Sequence, residues 1–225
     1  MSETMTVKAA DGHTLDMYVA RPEDEPIAGL VLVQEIFGVN RHIRSVADGY
    51  AKDGFLVAAP AIFDRIEKGI ELTYEEHDRP KAMGYLQKMD LTKALADVDA
   101  ALDFARRESG KKTGVIGFCY GGLLSWLSAV RLHPDAAVGY YAGGVGNFAA
   151  ETPRAPVQLH FGRLDTHIPA EQVAKVHAAH PQVEIYWYEG AGHAFNRDVH
   201  PASYHAESAA LARSRALAFL KKHLA

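Results

Sequence analysis

A single cysteine stands between glycines at the junction of a predicted strand and a predicted helix, in Gly117-Phe118-Cys119-Tyr120-Gly121-Gly122. Upstream, Thr113–Gly117 is a short apolar run bounded by charged residues, which predicts a buried strand. Downstream, Leu123–Val130 is an apolar run long enough for a core helix. A strand, a sharp turn and a helix around one nucleophile form a nucleophile elbow, here with sulfur in place of the serine oxygen. The alternative is that Cys119 is an ordinary small buried residue.

The local chemistry of this segment suits a reactive thiol. A nucleophile at an elbow takes a strained backbone conformation, so its neighbours need side chains of almost no size. The N-terminus of the following helix presents a positive dipole end and free N–H groups, which favour a thiolate and later an oxyanion. Since Cys119 is the only cysteine, it cannot form an internal disulfide, which fits a reducing compartment.

Size and charge narrow the class of protein. The chain has 225 residues, of which 48% are hydrophobic and 23% charged, as in ordinary globular proteins. The first five residues lack the basic and apolar regions of a signal peptide, and no apolar run approaches the roughly 20 residues of a membrane span. A net charge of −4 gives no electrostatic case for nucleic acid or an anionic membrane. We therefore expect a cytoplasmic monomer whose partner is a small molecule.

Predicted strands and helices alternate along the chain. Strands are predicted at Met5–Ala9, Leu15–Ala20, Gly29–Gln34, Phe55–Ala59, Thr113–Gly117, Ala136–Tyr141, Val157–Gly162 and Val183–Tyr188. Beyond the elbow helix, further helices are predicted at Arg41–Asp53, Glu75–Lys88, Leu91–Arg107, Ala170–His180 and Ser203–Lys222. This alternation predicts one α/β domain over residues 1–225, with a mostly parallel central sheet and helices on both faces.

Chemically distinctive side chains follow four of these strands. Glu35 comes after Gly29–Gln34, Cys119 after the elbow strand, Asp165 after Val157–Gly162, and His193 after Val183–Tyr188. Because the carboxyl ends of parallel strands meet at one edge of a sheet, we expect these side chains to lie close together. The order nucleophile, acid, histidine along the chain is that of α/β-hydrolase triads, so the predicted fold is a single-domain α/β-hydrolase.

The three triad candidates have distinct roles. His193 is the candidate base, because a cysteine nucleophile needs a group that titrates near neutrality. Asp165 is the candidate orienting acid, which accepts the other imidazole N–H and fixes the tautomer. The alternatives are a buried structural histidine and an N-cap for the helix near Pro169. His167 lies after the acid position and is interpreted as a loop residue.

Glu35 directly follows an apolar strand, where a carboxylate is costly to bury without a partner. A functional role at the mouth of the site is one interpretation, and a salt bridge to Arg41 or Arg44 is the other. The backbone N–H of Ile36 lies where this fold takes one oxyanion donor, and the N–H of Tyr120 supplies the second.

Weaker signals are interpreted as structural. His177 and His180 share a helix face, but no further ligand types accompany them at metal-site spacing. The glycines of 143–146 lack the following Lys-Ser/Thr of a phosphate loop. Asp97 and Asp99 are expected on a solvated helix face. The sequence thus predicts neither a metal nor a cofactor.

Four segments together resemble one known family. They are Gln34-Glu35-Ile36-Phe37-Gly38-Val39-Asn40, Gly117-Phe118-Cys119-Tyr120-Gly121-Gly122, Ala137-Val138-Gly139-Tyr140-Tyr141 and Tyr188-Glu189-Gly190-Ala191-Gly192-His193-Ala194-Phe195. From about Asp11 to the C-terminus, the chain is similar to the dienelactone hydrolases. The resemblance implies a Cys–His–Asp triad that maps onto Cys119, His193 and Asp165, and hydrolysis of the lactone ring of carboxymethylenebutenolide.

The resemblance also implies residues that bind the substrate. The family holds the substrate carboxylate with arginines, and the matching positions are Arg197 and Arg79. Phe37, in the first family segment, is also expected to contact the substrate. An arginine fork can take a carboxylate in two parallel hydrogen bonds; the alternative for either arginine is an ordinary surface residue. The chain departs from the family in Pro60-Ala61-Ile62-Phe63-Asp64 and at Met83 and Leu86, which leaves the identity of the substrate open.

Glu35 suggests control of the nucleophile, because a free thiolate is prone to oxidation. We expect Glu35 to hold the Cys119 thiol by a hydrogen bond until a substrate carboxylate displaces it, after which it could accept the thiol proton. Two broader alternatives stay open. One is a carboxylesterase or thioesterase with the same triad, and the other is a non-catalytic binding protein with this fold.

Overall fold

The computed structural model describes residues 1–224, which form one sheet of eight strands and six α-helices. The elements are β1 (Ser2–Lys8), β2 (Thr14–Ala20), β3 (Ala28–Val33), α1 (Arg41–Lys52), β4 (Phe55–Pro60), α2 (Arg79–Lys88), α3 (Leu91–Ser109), β5 (Thr113–Phe118), α4 (Tyr120–Arg131), β6 (Ala136–Tyr140), β7 (Val157–Gly162), α5 (Ala170–Ala179), β8 (Glu184–Tyr188) and α6 (Ala206–Leu224). Short 3₁₀ turns lie at Ile62–Arg65, Glu76–Asp78 and Val145–Phe148.

The strand order in the sheet is β1-β2-β4-β3-β5-β6-β7-β8. Strands β3 to β8 are parallel, whereas β2 is antiparallel to both of its neighbours, β1 and β4. The hairpin of β1 and β2 turns at Asp11-Gly12, where Gly12 has a φ of 88°. The prediction of a mostly parallel sheet is therefore confirmed.

Helices cover both faces of the sheet. Every residue of β3, β4, β5, β6 and β7 is buried, which requires a layer on each side of these strands. One layer contains α3, against β3 and β4, and α4, against β5 and β6. The other contains α1, against β4, and α6, against β5 to β7. Within residues 1–224, no helix is both long enough and apolar enough to span a bilayer.

The structure differs from the sequence predictions in several places. The predicted helix over 75–88 divides into the 3₁₀ turn and α2, and the last helix begins at Ala206 instead of Ser203. The prediction that Asp97 lies on a solvated face is wrong. Its side chain is fully buried and accepts two hydrogen bonds from Arg65, both of 2.7 Å, because α3 turns this face toward the loop after β4.

His160, on β7, is a fully buried histidine outside the candidate site. Its Nδ1 lies 2.7 Å from the hydroxyl of Tyr188 and its Nε2 lies 2.9 Å from Oε1 of Gln158. The amide oxygen only accepts, so Nε2 carries a proton, and the hydroxyl of Tyr188 can donate to Nδ1 of a neutral ring. Burial disfavours the charged form and lowers the pKa of His160 to about 3.

We expect His160 to make stability depend on pH below neutrality. An unfolded histidine has a pKa of roughly 6.5, so between that pH and about 3 the unfolded chain binds a proton that the folded chain excludes. The free energy of unfolding should therefore fall as the pH falls, by about 1.4 kcal/mol per pH unit for one proton. Urea unfolding from pH 7 to pH 5 measures this slope. His160→Gln should reduce this slope by the contribution of about one proton, whereas His177→Gln, at an exposed position, should leave it unchanged. Equal slopes in all three proteins would contradict the assignment.

Candidate active site

Cys119 occupies a tight turn between β5 and α4. Its backbone has φ 55° and ψ −113°, a conformation that side-chain-bearing residues rarely adopt and that recurs at functional sites. Two glycines make the turn possible because the chain segments approach closely there. A Cβ on Gly117 would lie 2.1 Å from the carbonyl oxygen of Gly121, and a Cβ on Gly121 would lie 2.3 Å from that of Val33. The strand, sharp turn and helix have the geometry that a nucleophile elbow requires, and the role of Cys119 as the nucleophile stays a prediction.

Three side chains from three strand ends form a hydrogen-bonded chain. The Sγ atom of Cys119 lies 3.2 Å from Nε2 of His193, and Nδ1 of His193 lies 2.7 Å from Oδ2 of Asp165. The other carboxylate oxygen of Asp165 accepts the backbone N–H of His167 at 2.8 Å. Asp165 is therefore held by the turn that follows β7, and it orients the imidazole toward the sulfur.

The charges on these three hydrogen-bonded side chains favour a protonated imidazole. Burial disfavours the charged form of His193, but hydrogen bonds to Asp165 and Cys119 outweigh it and raise the pKa of His193 to about 10. Burial likewise opposes ionisation of Asp165, yet the hydrogen bond from His193 lowers the pKa of Asp165 below its ordinary value. An imidazolium beside a sulfur atom stabilises the thiolate, which is the nucleophilic form of cysteine.

The two predicted oxyanion donors lie at the same edge of the sheet. Ile36 is in the turn after β3, and within residues 1–224 its N–H donates no backbone hydrogen bond. Tyr120 is the first residue of α4, so its N–H has no acceptor inside that helix. Both groups are thus available for a developing negative charge beside Cys119.

Glu35 and Arg197 form a buried ion pair near the three hydrogen-bonded side chains. Nη2 and Nε of Arg197 lie 2.9 Å and 3.3 Å from the two carboxylate oxygens of Glu35, whose side chain is 1% exposed. Burial disfavours the charged forms of both side chains, but each charged group stabilises the opposite charge of its partner. As a result, the pKa of Glu35 lies below its ordinary value and that of Arg197 lies above.

The pairing corrects two expectations for Glu35. The hydrogen-bond partner of the Cys119 thiol is His193, whereas both oxygens of Glu35 are engaged by Arg197. The ion-pair partner proposed on α1 is also wrong, since Arg44 pairs with Glu71. The carboxylate that Arg197 contacts in this structure belongs to Glu35, and its contact with a substrate carboxylate stays a prediction.

Aromatic rings enclose the guanidinium of Arg197. Its central carbon lies 3.9 Å from the ring centroid of Tyr74 and 5.2 Å from that of Phe37, and these two rings meet edge to face. Phe37, predicted to contact substrate, is buried against the arginine. Tyr74 was missed because it lies in a loop without periodicity. The signal available in the sequence was an aromatic residue directly before the predicted helix that contains Arg79.

Arg79 lies at the mouth of the site as the first residue of α2. It is exposed, and its Nη2 atom is 3.4 Å from Nε2 of His167. Beside it, a cavity of about 300 Å³ is lined by Leu164, Thr166, His167, Gly190, Gly192, His193, Ala202, Ser203, Tyr204 and His205. One of the two predicted arginines is therefore exposed beside His167, and the other is buried against Glu35.

One set of side chains has metal-ligand atoms close together. Ligand atoms of Asp165, His167 and His193 all lie within 4.8 Å of one another. Two of these three residues already share the 2.7 Å hydrogen bond that orients the imidazole, so a metal ion here would compete with that bond. Hydrogen bonding to the sulfur accounts for the geometry without a metal.

Known proteins with similar sequences are dienelactone hydrolases and carboxymethylenebutenolidases. The model of the dienelactone hydrolase family matches residues 15–224. The carboxymethylenebutenolidases of Pseudomonas putida and of Pseudomonas knackmussii strain B13 are each 33% identical to this chain, over 98% of it and 96% of their own length.

Solved structures agree with the family match. A crystal structure from Klebsiella pneumoniae subsp. pneumoniae MGH 78578, provisionally named a dienelactone hydrolase, has a TM-score of 0.85 and 30% identity over 97% of this chain and 98% of its own. A dienelactone hydrolase-like promiscuous phosphotriesterase from metagenomic libraries has a TM-score of 0.79 at 19% identity, over 100% and 99%, and supports the fold alone. The chain therefore belongs to the dienelactone hydrolase family and is a carboxylic ester hydrolase.

Proposed function

We propose that this protein opens the lactone ring of carboxymethylenebutenolide-like substrates through a Cys119–His193–Asp165 triad and a covalent acyl-enzyme. The observation that carries the proposal is the hydrogen-bonded chain from Sγ through the imidazole to the carboxylate. The relatives named carboxymethylenebutenolidases supply the substrate class. The buried Arg197, already paired with a carboxylate, supports a substrate that carries a negative charge.

The reaction begins with attack by the thiolate of Cys119 on the lactone carbonyl carbon. A carbon–sulfur bond forms, the carbonyl electron pair moves to oxygen, and the N–H groups of Ile36 and Tyr120 stabilise the oxyanion. When the intermediate collapses, the ring carbon–oxygen bond breaks, and the imidazolium of His193 gives its proton to the leaving oxygen. The ring is then open and its acyl carbon is attached to sulfur.

Hydrolysis of the acyl-enzyme restores the site. His193, now neutral, takes a proton from water as the water oxygen attacks the acyl carbon. Collapse of this second intermediate releases the carboxylic acid and returns the electron pair of the carbon–sulfur bond to Cys119. Asp165 stabilises the imidazolium at both stages without being protonated itself.

Glu35 acts as a second base that substrate releases. A substrate carboxylate that binds Arg197 competes with Glu35 for the same fork of N–H donors. A buried carboxylate that loses its cation becomes more basic, because burial disfavours its charged form. Released in this way, Glu35 can accept the proton of any Cys119 sulfur that is still a thiol, which leaves the thiolate beside the imidazolium of His193. Glu35 returns this proton to the sulfur when the product leaves and Arg197 pairs with Glu35 again.

Arg79 provides the test of the substrate class. In Arg79→Ala, we expect kcat/KM for the carboxylate-bearing lactone to fall about tenfold, the lower end of what a charged hydrogen bond contributes, since Arg79 is exposed. Hydrolysis of neutral p-nitrophenyl acetate should be unchanged. The lactone is followed by loss of its ultraviolet absorbance, and the exposed Arg107→Ala on α3 serves as the control. Equal losses on both substrates, or a wild-type preference for the neutral ester, would favour the broader carboxylesterase instead.

A further inference from the structure

His167 contacts both the candidate triad and one of the two predicted arginines. It lies two residues after Asp165, in the turn that follows β7, and its side chain is 57% exposed. Its ring centroid is 5.2 Å from that of His193, and it lines the cavity of about 300 Å³ beside that histidine. Its Nε2 lies 3.4 Å from Nη2 of Arg79, and its Nδ1 lies 3.5 Å from Oδ1 of Asp165. The ring therefore stands between a cation and the triad acid.

These contacts determine which nitrogen of the His167 ring carries the proton. A guanidinium has N–H donors and no acceptor, so Nε2 of His167 accepts the hydrogen bond from Arg79 and is unprotonated. The single proton of the neutral ring is then on Nδ1, the nitrogen that faces the carboxylate of Asp165. The other oxygen of this carboxylate lies 2.7 Å from Nδ1 of His193. The negative charge of Asp165 thus favours a proton on Nδ1 of both imidazoles.

A neutral acceptor holds Arg79 without cancelling its charge. A carboxylate partner would orient the guanidinium but also neutralise it, as Glu35 does for Arg197. The imidazole of His167 takes one N–H and leaves the positive charge and the other donors available. Within residues 1–224, Arg79 forms no ion pair. Because a long exposed side chain loses rotamer freedom when it binds, a fixed acceptor in the free protein lowers that cost of binding.

We propose that His167 is a positioning residue that holds the guanidinium of Arg79 ready for a substrate carboxylate, with its own tautomer set by Asp165. This inference rests on the proposed function, because it requires that Arg79 bind a substrate carboxylate. The two predicted arginines then differ in role. An incoming carboxylate meets Arg79 without displacing a charged partner, whereas at Arg197 it must compete with Glu35.

Two esters with the same leaving group test this role without the lactone. The p-nitrophenyl monoester of glutaric acid differs from p-nitrophenyl pentanoate only by a terminal carboxylate in place of a methyl group. The ratio of their kcat/KM values therefore measures recognition of the carboxylate. We expect this ratio to fall about tenfold in Arg79→Ala but only about threefold in His167→Ala, where the charge remains and its orientation is lost. His167→Gln should keep most of the wild-type ratio, since its amide oxygen can accept the same N–H.

Two further variants control for indirect effects. Adding His167→Ala to Arg79→Ala should lower the ratio no further, because the group that His167 positions is then absent. His177→Ala, on α5, removes another exposed imidazole and should keep the wild-type ratio. The backbone N–H that residue 167 donates to Asp165 is present in every variant, so the triad acid keeps this hydrogen bond.

The possible outcomes separate this inference from the proposed function. A wild-type ratio in His167→Ala would overturn the role of His167, and so would equal slowing on both esters, which would mean that the ring serves the triad. A ratio that Arg79→Ala leaves unchanged would overturn the carboxylate site at Arg79 and this inference together. Lactone turnover is measured separately. A wild type that prefers the glutarate ester but leaves the lactone intact would contradict the proposed substrate and not the role of His167.

Discussion

Replacing Cys119 by alanine is expected to abolish hydrolysis of lactones and esters alike, with kcat/KM falling on the order of 10⁴-fold or more. The sulfur is the atom to which the acyl group would be attached, and the described structure offers no second thiol. The variant should stay folded, because alanine fills most of the same volume and leaves the turn glycines in place. Activity, and melting followed by circular dichroism, measure the two properties.

Covalent labelling supplies the control for this prediction. Iodoacetamide should inactivate the wild type with one label per chain and leave Cys119→Ala unlabelled, as mass spectrometry can show. His193→Ala should lose nearly as much activity as Cys119→Ala, whereas Asp165→Asn should lose less, because the imidazole keeps part of its orientation. A loss of only a few-fold in Cys119→Ala would exclude it as the nucleophile.

The sequence predicted the features that depend on local chain pattern. The elbow around Cys119 was predictable because Gly117 and Gly121 are required where α4 approaches β5 and β3. The closeness of Asp165 and His193 to Cys119 was predictable because the carboxyl ends of parallel strands meet at one edge of a sheet. These inferences need only the order of strands and helices and the residue that follows each strand.

Pairings between distant segments were not predictable in this way. Glu35 and Arg197 are 162 positions apart, and nothing local distinguishes Arg197 from Arg41 or Arg44 as the partner. The burial of Asp97 depends on where Arg65 is placed by the loop after β4. Such contacts arise from packing of whole elements, so a single sequence indicates that a buried charge needs a partner without identifying which residue supplies it.

The second large effect is expected from Arg197→Ala. This change leaves the carboxylate of Glu35, 1% exposed, without its cation. Removing one partner of a buried ion pair typically costs about 3–5 kcal/mol of unfolding free energy. Urea unfolding at pH 8 measures the loss, and turnover of the carboxylate-bearing lactone should become undetectable while any remaining folded protein hydrolyses p-nitrophenyl acetate. Arg197→Lys should recover only part of the loss, because lysine lacks the fork and the flat face that lies over Tyr74.

Two comparisons establish that the loss arises from the unpaired charge of Glu35. Adding Glu35→Gln to Arg197→Ala should restore much of the stability, since the buried group is then neutral. The pH dependence has a definite sign. In the wild type the pKa of Glu35 is lowered, so its contribution is present above the unfolded pKa, roughly 4.3, and is lost as the pH falls below it. In Arg197→Ala only His42 and Tyr74, the smaller favourable influences, still oppose burial, so the pKa of Glu35 rises and the variant loses stability as the pH rises. The difference between the two proteins should therefore shrink from pH 8 to pH 4, and a constant difference would mean that Arg197 stabilises the fold by packing alone.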